Sequence, residues 1–328
     1  MLLRAAASEA TAGVFLILWI GCAPDAPHDN PLDPQSPSFR DAAAVTGTIT
    51  TLYAPYNPIK GGLVVSLPEG NAGVSDENGV FHLLDLTSGV HTLVAGKAGY
   101  SSDTVSVTIV PGKPKQVDFH LDALPVSSDI AAISNHISQW WPGPVYEAEI
   151  AASVSDADGA SDIASVSVNI DTLVRAMSFS PADRMFHASI KSEELPGGTL
   201  QWLVGKPVLI KARDNPGNSS SSQPVFITRI IEETPVAVFP SSLDSATARP
   251  TLAWSQLYLP YPFTYEVRVI RVDAGLQTEV WSRSGITNSV STMGVDQSLA
   301  TGSYYWTVAV VDEYGNRSRS KEASFIVP

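Results

Sequence analysis

From about position 45 to its end, the chain is a succession of short runs in which apolar and polar residues alternate, broken every few positions by Gly, Pro, Asn or Asp. Val105, Val107 and Ile109 share one parity, as do Val117, Phe119 and Leu121. Side chains two apart on an extended backbone point to the same face, so both runs predict half-buried strands. Runs of the same kind cover 147–154, 185–190, 208–212, 225–230, 251–254, 265–270, 279–281 and 304–310, with Val166 and Val168 between them. Lys60-Gly-Gly62, Asn78-Gly79, Pro111-Gly-Lys-Pro114 and the stretch Asp214 to Ser219 are turn signals. The pattern predicts an all-β chain of tandem β-sandwich domains.

The length of 328 residues suggests two or three domains. The expected boundaries are 45–123, 126–232 and 234–328, preceded by a signal at 1–21 and a linker at 22–44. Apolar residues make up 44%, enough for a core in each domain, and charged residues only 16%. Cys22 is the single cysteine. No disulfide is available, so apolar burial and sheet hydrogen bonds must hold each domain, which is feasible at about 100 residues.

The beginning of the chain has a different texture. An apolar run from Val14 to Ile20 is followed by Gly21 and Cys22. The run is far shorter than the roughly 20 residues that span a bilayer. It resembles a bacterial lipoprotein signal, with Trp19 and Ile20 departing from the usual leucine and small residue of the lipobox. The resemblance implies cleavage before Cys22, acylation of that cysteine, and attachment to the bacterial cell envelope, expected at the outer membrane. The membrane is then a partner through the lipid anchor. Pro24, Pro27, Pro31, Pro34 and Pro37 follow, with almost no large apolar side chains. Such a stretch is expected to be an extended or disordered spacer, with a reach on the order of 60 Å at about 3.1 Å per residue.

Three further resemblances concern the domains. Ser75-Asp-Glu-Asn-Gly-Val-Phe81, then Leu86, Gly89, Thr92-Leu93 and Gly99-Tyr100, resembles the carboxypeptidase regulatory-like family. That implies a transthyretin-like sandwich, with Asp76 and Gly79 setting a hairpin and Phe81 and Leu93 in the core. It implies no peptidase zinc site. His82 and His120 are expected on the solvent face and His91 partly buried, so the three do not form a metal site. Ser155-Asp-Ala-Asp-Gly-Ala-Ser-Asp-Ile163 with Val166 resembles bacterial immunoglobulin-like domains. Trp254, the run Leu299-x-x-Gly302-x-Tyr304, and Asp312-x-Tyr-Gly-Asn-x-Ser318 resemble fibronectin type III domains, with Tyr304 as a tyrosine corner. The stretch from Asp312 to Ser318 partly repeats that from Asp214 to Ser219.

Charge narrows the function. The net charge is -13, and removal of residues 1–21 takes away Arg4 and Glu9 and leaves it unchanged. An acidic surface repels phosphate backbones, which excludes nucleic acid as an expected partner. Gly-x-Ser-x-Gly, His-Glu-x-x-His, phosphate-loop and dinucleotide motifs are all missing, and no catalytic residue, enzyme activity or cofactor is expected. Asp156, Asp158 and Asp162 form a calcium candidate, but three carboxylates alone fall short of the six to eight oxygens calcium takes. An ordinary Asp-rich turn is the preferred reading, with no metal. Trp140 and Trp141, and Tyr258 and Tyr261, are candidate binding aromatics for a glycan or a protein, weighed against packing at a domain end. The function expected is non-enzymatic binding or adhesion by a membrane-anchored surface or periplasmic lipoprotein. The alternatives are a structural spacer or accessory subunit of an envelope assembly and, more remotely, a hydrolase with an unrecognised site.

Overall fold

The computed structural model describes residues 36, 43–110 and 112–328. Cys22, the signal at 1–21 and nearly all of the linker at 22–44 lie outside the described residues. Three apolar cores divide the strands, one spanning Val45 to Leu121, one Ala148 to Ile227 and one Ile231 to Val327. The protein is an all-β chain of tandem β-sandwiches.

In the first sandwich, the strand Ala43–Thr51 pairs antiparallel with Val80–Leu86 and parallel with Lys115–Gln116 and Phe119–Leu121. Facing it is a sheet in the order Ala72–Val74, Leu63–Leu67, Gly89–Gly96 and Asp103–Ile109. The Asp76 carboxylate accepts the backbone N–H groups of Asn78 and Val80, and Gly79 takes a φ of 77°. These two residues fold the chain back so that Phe81, fully buried, meets Phe119 at 5.8 Å. His82 and His120 are exposed. His91 is fully rather than partly buried, bonded to Ser66 Oγ and the Thr87 carbonyl.

In the second sandwich, Ser178–Ser180, Met185–Lys191, Val145–Ser155 and Val126–Ile137 form one sheet. Leu173–Ala176, Ile163–Ile170 and Pro207–Asp214, with Ser219–Ser221 and Val225–Phe226, form the other. The run expected to be a strand over 225–230 is a strand only at Val225–Phe226. In the third, Phe263–Asp273, Leu276–Thr287, Gly302–Asp312, Arg317–Arg319 and Ala323–Val327 oppose Ala237–Phe239, Thr251–Trp254 and Thr292–Gly294. Tyr304 Oη donates to the Ala300 carbonyl at 2.7 Å, the bond of a tyrosine corner. Trp306, fully buried, donates its indole N–H to the Pro240 carbonyl at 2.7 Å.

The second and third sandwiches are not separate beads. The strand Val126–Ile137 pairs antiparallel with Val145–Ser155 on one side and parallel with Arg317–Arg319 on the other. Asn135 lies opposite Arg317, His136 opposite Ser318, and Ile137 opposite Arg319. The result is one ten-stranded sheet that crosses both sandwiches. Alternation does not announce this strand. Its apolar positions are interrupted by Ser, Asp and Asn, and Asp129 has a φ of 48°.

Gly47 shows how closely the first sandwich is packed. A Cβ there would stand 1.7 Å from the Val117 carbonyl oxygen, a backbone atom that cannot rotate away. Gly47→Ala should therefore destabilise the first sandwich by about 2–3 kcal/mol, in the range of overpacked cores. Urea unfolding of the variant against the wild type measures this, and an unchanged midpoint would show that the two strands part without cost.

Candidate functional site

The repeated Asp-x-x-Gly-Asn stretch forms the same kind of turn at each of the two joints between sandwiches. In one, Asp214 N–H donates to the Asn218 carbonyl, and Gly217 N–H donates to Asp214 Oδ1 at 2.8 Å. In the other, Asp312 N–H donates to the Asn316 carbonyl, and Asn316 N–H donates to Asp312 Oδ1 at 2.9 Å. Each turn lies at the end of its sandwich where the incoming linker arrives, and its Asn side chain grips that linker. Asn218 Nδ2 donates to Asp122 Oδ2. Asn316 Nδ2 donates to Thr228 Oγ1 at 3.3 Å, while its Oδ1 accepts the Ser134 N–H at 2.9 Å.

The electrostatics of the two joints differ. At the second, buried Asp312 faces Arg229, with Nε 3.5 Å from Oδ2. The Arg229 guanidinium also pairs with Glu313 at 3.0 Å and stacks over the Tyr261 ring at 4.1 Å. At the first, Asp214 has no such partner. Instead Asp122, Asp156, Asp158 and Asp162 gather around it, and among the described residues no ion pair involves any of the five. Asp122, Asp162 and Asp214 are each more than nine-tenths buried.

Their hydrogen bonds leave much unmet. Asp156 Oδ1 accepts the Asp158 N–H at 2.9 Å, and Asp158 Oδ2 accepts the Ala123 N–H at 2.6 Å. Buried and without a hydrogen-bond partner in the chain are Asp122 Oδ1, Asp156 Oδ2, Asp158 Oδ1, both oxygens of Asp162, and Asp214 Oδ2. Asp122, Asp158 and Asp162 bring one oxygen each within 4.8 Å of one another. Burial foremost, and then the charges of Asp214, Asp162 and Asp158, push Asp122 up to about 6, against the pull of Asn218. Burial and its acidic neighbours also raise Asp156. The Tyr53 phenol stands at the rim, where desolvation and then Asp162 raise its pKa, although its geometry to Asp162 falls short of a hydrogen bond. The three aspartates singled out in the sequence thus lie together. Asp122 and Asp214, which no local spacing connects to them, complete the group.

The candidate aromatics do not form one platform. Trp140 donates its indole N–H to the Glu322 carbonyl at 2.8 Å and lies under Lys321 Nζ at 4.1 Å, so it packs across the joint to the third sandwich. It also walls a groove of about 590 Å³ with Val236, Ser241 and Glu322. Trp141 is 84% exposed and Tyr258 86% exposed. Tyr261 is held by Arg229. Two histidines bond serine hydroxyls, His91 to Ser66 and His136 to Ser318. All four residues are buried, so neither serine is placed to meet a substrate.

No family model matches the sequence, and no curated protein does. Solved structures similar to the chain include a DUF3823 family protein from Bacteroides ovatus, 11% identical, with a TM-score of 0.26, covering 57% of this chain and 98% of that one. The FN1–FN3 domains of chicken CNTN1 are 12% identical with a TM-score of 0.28, covering 82% and 90%. The Bacillus anthracis TIE protein is 8% identical with a TM-score of 0.27, covering 88% of this chain and 49% of that one.

His136 makes the second joint sensitive to acid. Its ring stacks on Tyr146 at 4.1 Å, and burial holds its pKa below the ordinary value, against the hydrogen bond to the Ile231 carbonyl and the Glu232 charge. The unfolded chain therefore takes up a proton below about pH 6.5 that the folded chain refuses, so this contribution is present above that pH and is lost as the pH falls toward the folded value. Melts taken from about pH 7.5 down to about pH 5 should show a smaller loss of Tm in His136→Gln than in the wild type. Parallel slopes would show that another group sets the acid response.

Proposed function

We propose that this protein is a non-enzymatic, lipid-anchored component of the bacterial cell envelope, a stiff β-sandwich arm that holds a binding surface away from the outer membrane. The observation that carries this reading is the sheet shared by the second and third sandwiches. Bending at that joint would break the parallel pairing of Val126–Ile137 with Arg317–Arg319. It would also strip the buried Ser134 N–H of its acceptor, Asn316. Buried backbone groups left unpaired cost about 1–3 kcal/mol each, so the joint resists bending. Stiffness of this kind serves presentation and spacing rather than the closure of an active site. The anchor is supported by Cys22 directly after its apolar run, and the reach by the proline-rich segment that follows.

The exposed Trp141, beside the groove that Trp140 walls, favours a binding role for this region over spacing alone. An exposed indole is costly to keep in water and is a common anchor for a sugar face or a protein pocket.

Two measurements test the two parts. Cys22→Ser should shift the protein from the membrane fraction to the soluble fraction and abolish labelling by a fatty-acid analogue; a variant still in the membrane fraction would point to an uncleaved anchor. Trp141→Ala should remove any glycan-array or pull-down signal of the wild type while leaving the melting curve in place. Retained binding would take the indole out of the ligand surface.

A further inference from the structure

We propose that Asp122, Asp158 and Asp162, backed by the charges of Asp156 and Asp214, bind a calcium ion at the joint between the first and second sandwiches, and that the ion fixes how the two are set against each other. The proposal stands apart from the anchor and from the tryptophans.

The turn reading that suffices for the sequence does not suffice for the structure. An Asx turn occupies one oxygen of Asp156 and one of Asp214. It leaves six buried carboxylate oxygens across five residues with nothing in the chain to bond, two of them on Asp162, which is 3% exposed. Buried carboxylates without a donor or a counter-charge are costly, and proteins that keep them pair them or give them to a metal. Calcium takes six to eight oxygens at about 2.3–2.6 Å, which places opposite ligands about 5 Å apart at most. The Asp122, Asp158 and Asp162 oxygens lie within 4.8 Å of one another, close enough to share one such ion. Magnesium demands near-ideal octahedral geometry and keeps several of its waters, so a buried cluster of carboxylates suits calcium better.

The chain supplies its own comparison. At the second joint the same turn buries Asp312, and Arg229 from the incoming linker brings a positive charge to it. At the first joint the incoming linker brings Asp122 instead, a further negative charge, with Asn218 bonded to it. A linker that meets a buried aspartate with arginine needs no ion. One that meets it with aspartate calls for a cation from solution. Because Asp122 leads out of the first sandwich while Asp158 and Asp162 belong to the second, an ion held by all three ties the two together.

The test uses the full chain stripped with a chelator. Calorimetric titration with calcium chloride should show saturable binding, accompanied by a rise in Tm, with magnesium chloride far weaker. Asp162→Asn should weaken calcium at least about tenfold, since ligand charge sets affinity in such sites. In chelator the same variant should melt at or above the wild type, because it removes one of several crowded like charges. Glu193→Gln, an exposed carboxylate of the second sandwich away from the joint, should change neither. Terbium luminescence excited through Tyr53 and Tyr100, and displaced by calcium, gives a readout on the unmutated chain. No heat and no change in Tm at millimolar calcium, no calcium-displaceable terbium signal, or wild-type affinity in Asp162→Asn would each overturn the proposal.

Discussion

Everything at the far end of this molecule depends on the parallel pairing of Val126–Ile137 with Arg317–Arg319. Both strands would otherwise be sheet edges, and an edge offers unpaired N–H and C=O groups to any passing strand. Joined, they close each other's edge and merge two sheets into one. Asn316 makes the join specific. One side chain bonds Asp312 in its own turn, Thr228 in the linker and the Ser134 backbone in the neighbouring sandwich. With Asn316, Ser134 and Ser318 nearly or fully buried, the joint has the character of a small polar core. Such a network rigidifies as its members are satisfied, and Ser134, Asn316 and Ser318 each have a partner.

The two joints share a turn and differ in what neutralises it. Asp312 is met by Arg229, and the guanidinium is itself backed by Glu313 and the Tyr261 face. Asp214 is met by more carboxylates. One joint therefore has its buried carboxylate balanced within the chain, although Arg229 Nη1 is buried there without a hydrogen-bond partner. The other gathers buried carboxylate oxygens with no counter-charge, and that contrast, rather than the number of aspartates, sets it apart as a site. The two joints are also tied differently: the second and third sandwiches share paired strands, whereas the first is tied to the second by hydrogen bonds along its linker, at Asp122, Ala123 N–H and the Pro125 carbonyl.

Much of the fold was legible along the chain because its causes are local. Asp76 and Gly79 make their turn with neighbours two to four residues away, and Phe81 and Leu93 reach the core by the period-two rule alone. The Tyr304 corner spans four residues. The strand Val126–Ile137 escaped because alternation marks a strand with one wet face. This strand is half-buried along much of its length, carries Ser134 and His136 inward, and gains its second neighbour from residues near the other end of the chain.

The all-β class, the turns, the core-facing residues and the aspartate-rich loop each follow from spacing within a few residues of the chain. What those pieces meet is set by the folded molecule. It brought Asp122 and Asp214 to the Asp156–Asp162 loop, set Trp140 against Glu322, and placed Arg229 on Asp312. The reason is physical. Burial and counter-charge are properties of a place, and a place assembled from distant segments has no signature in any one of them.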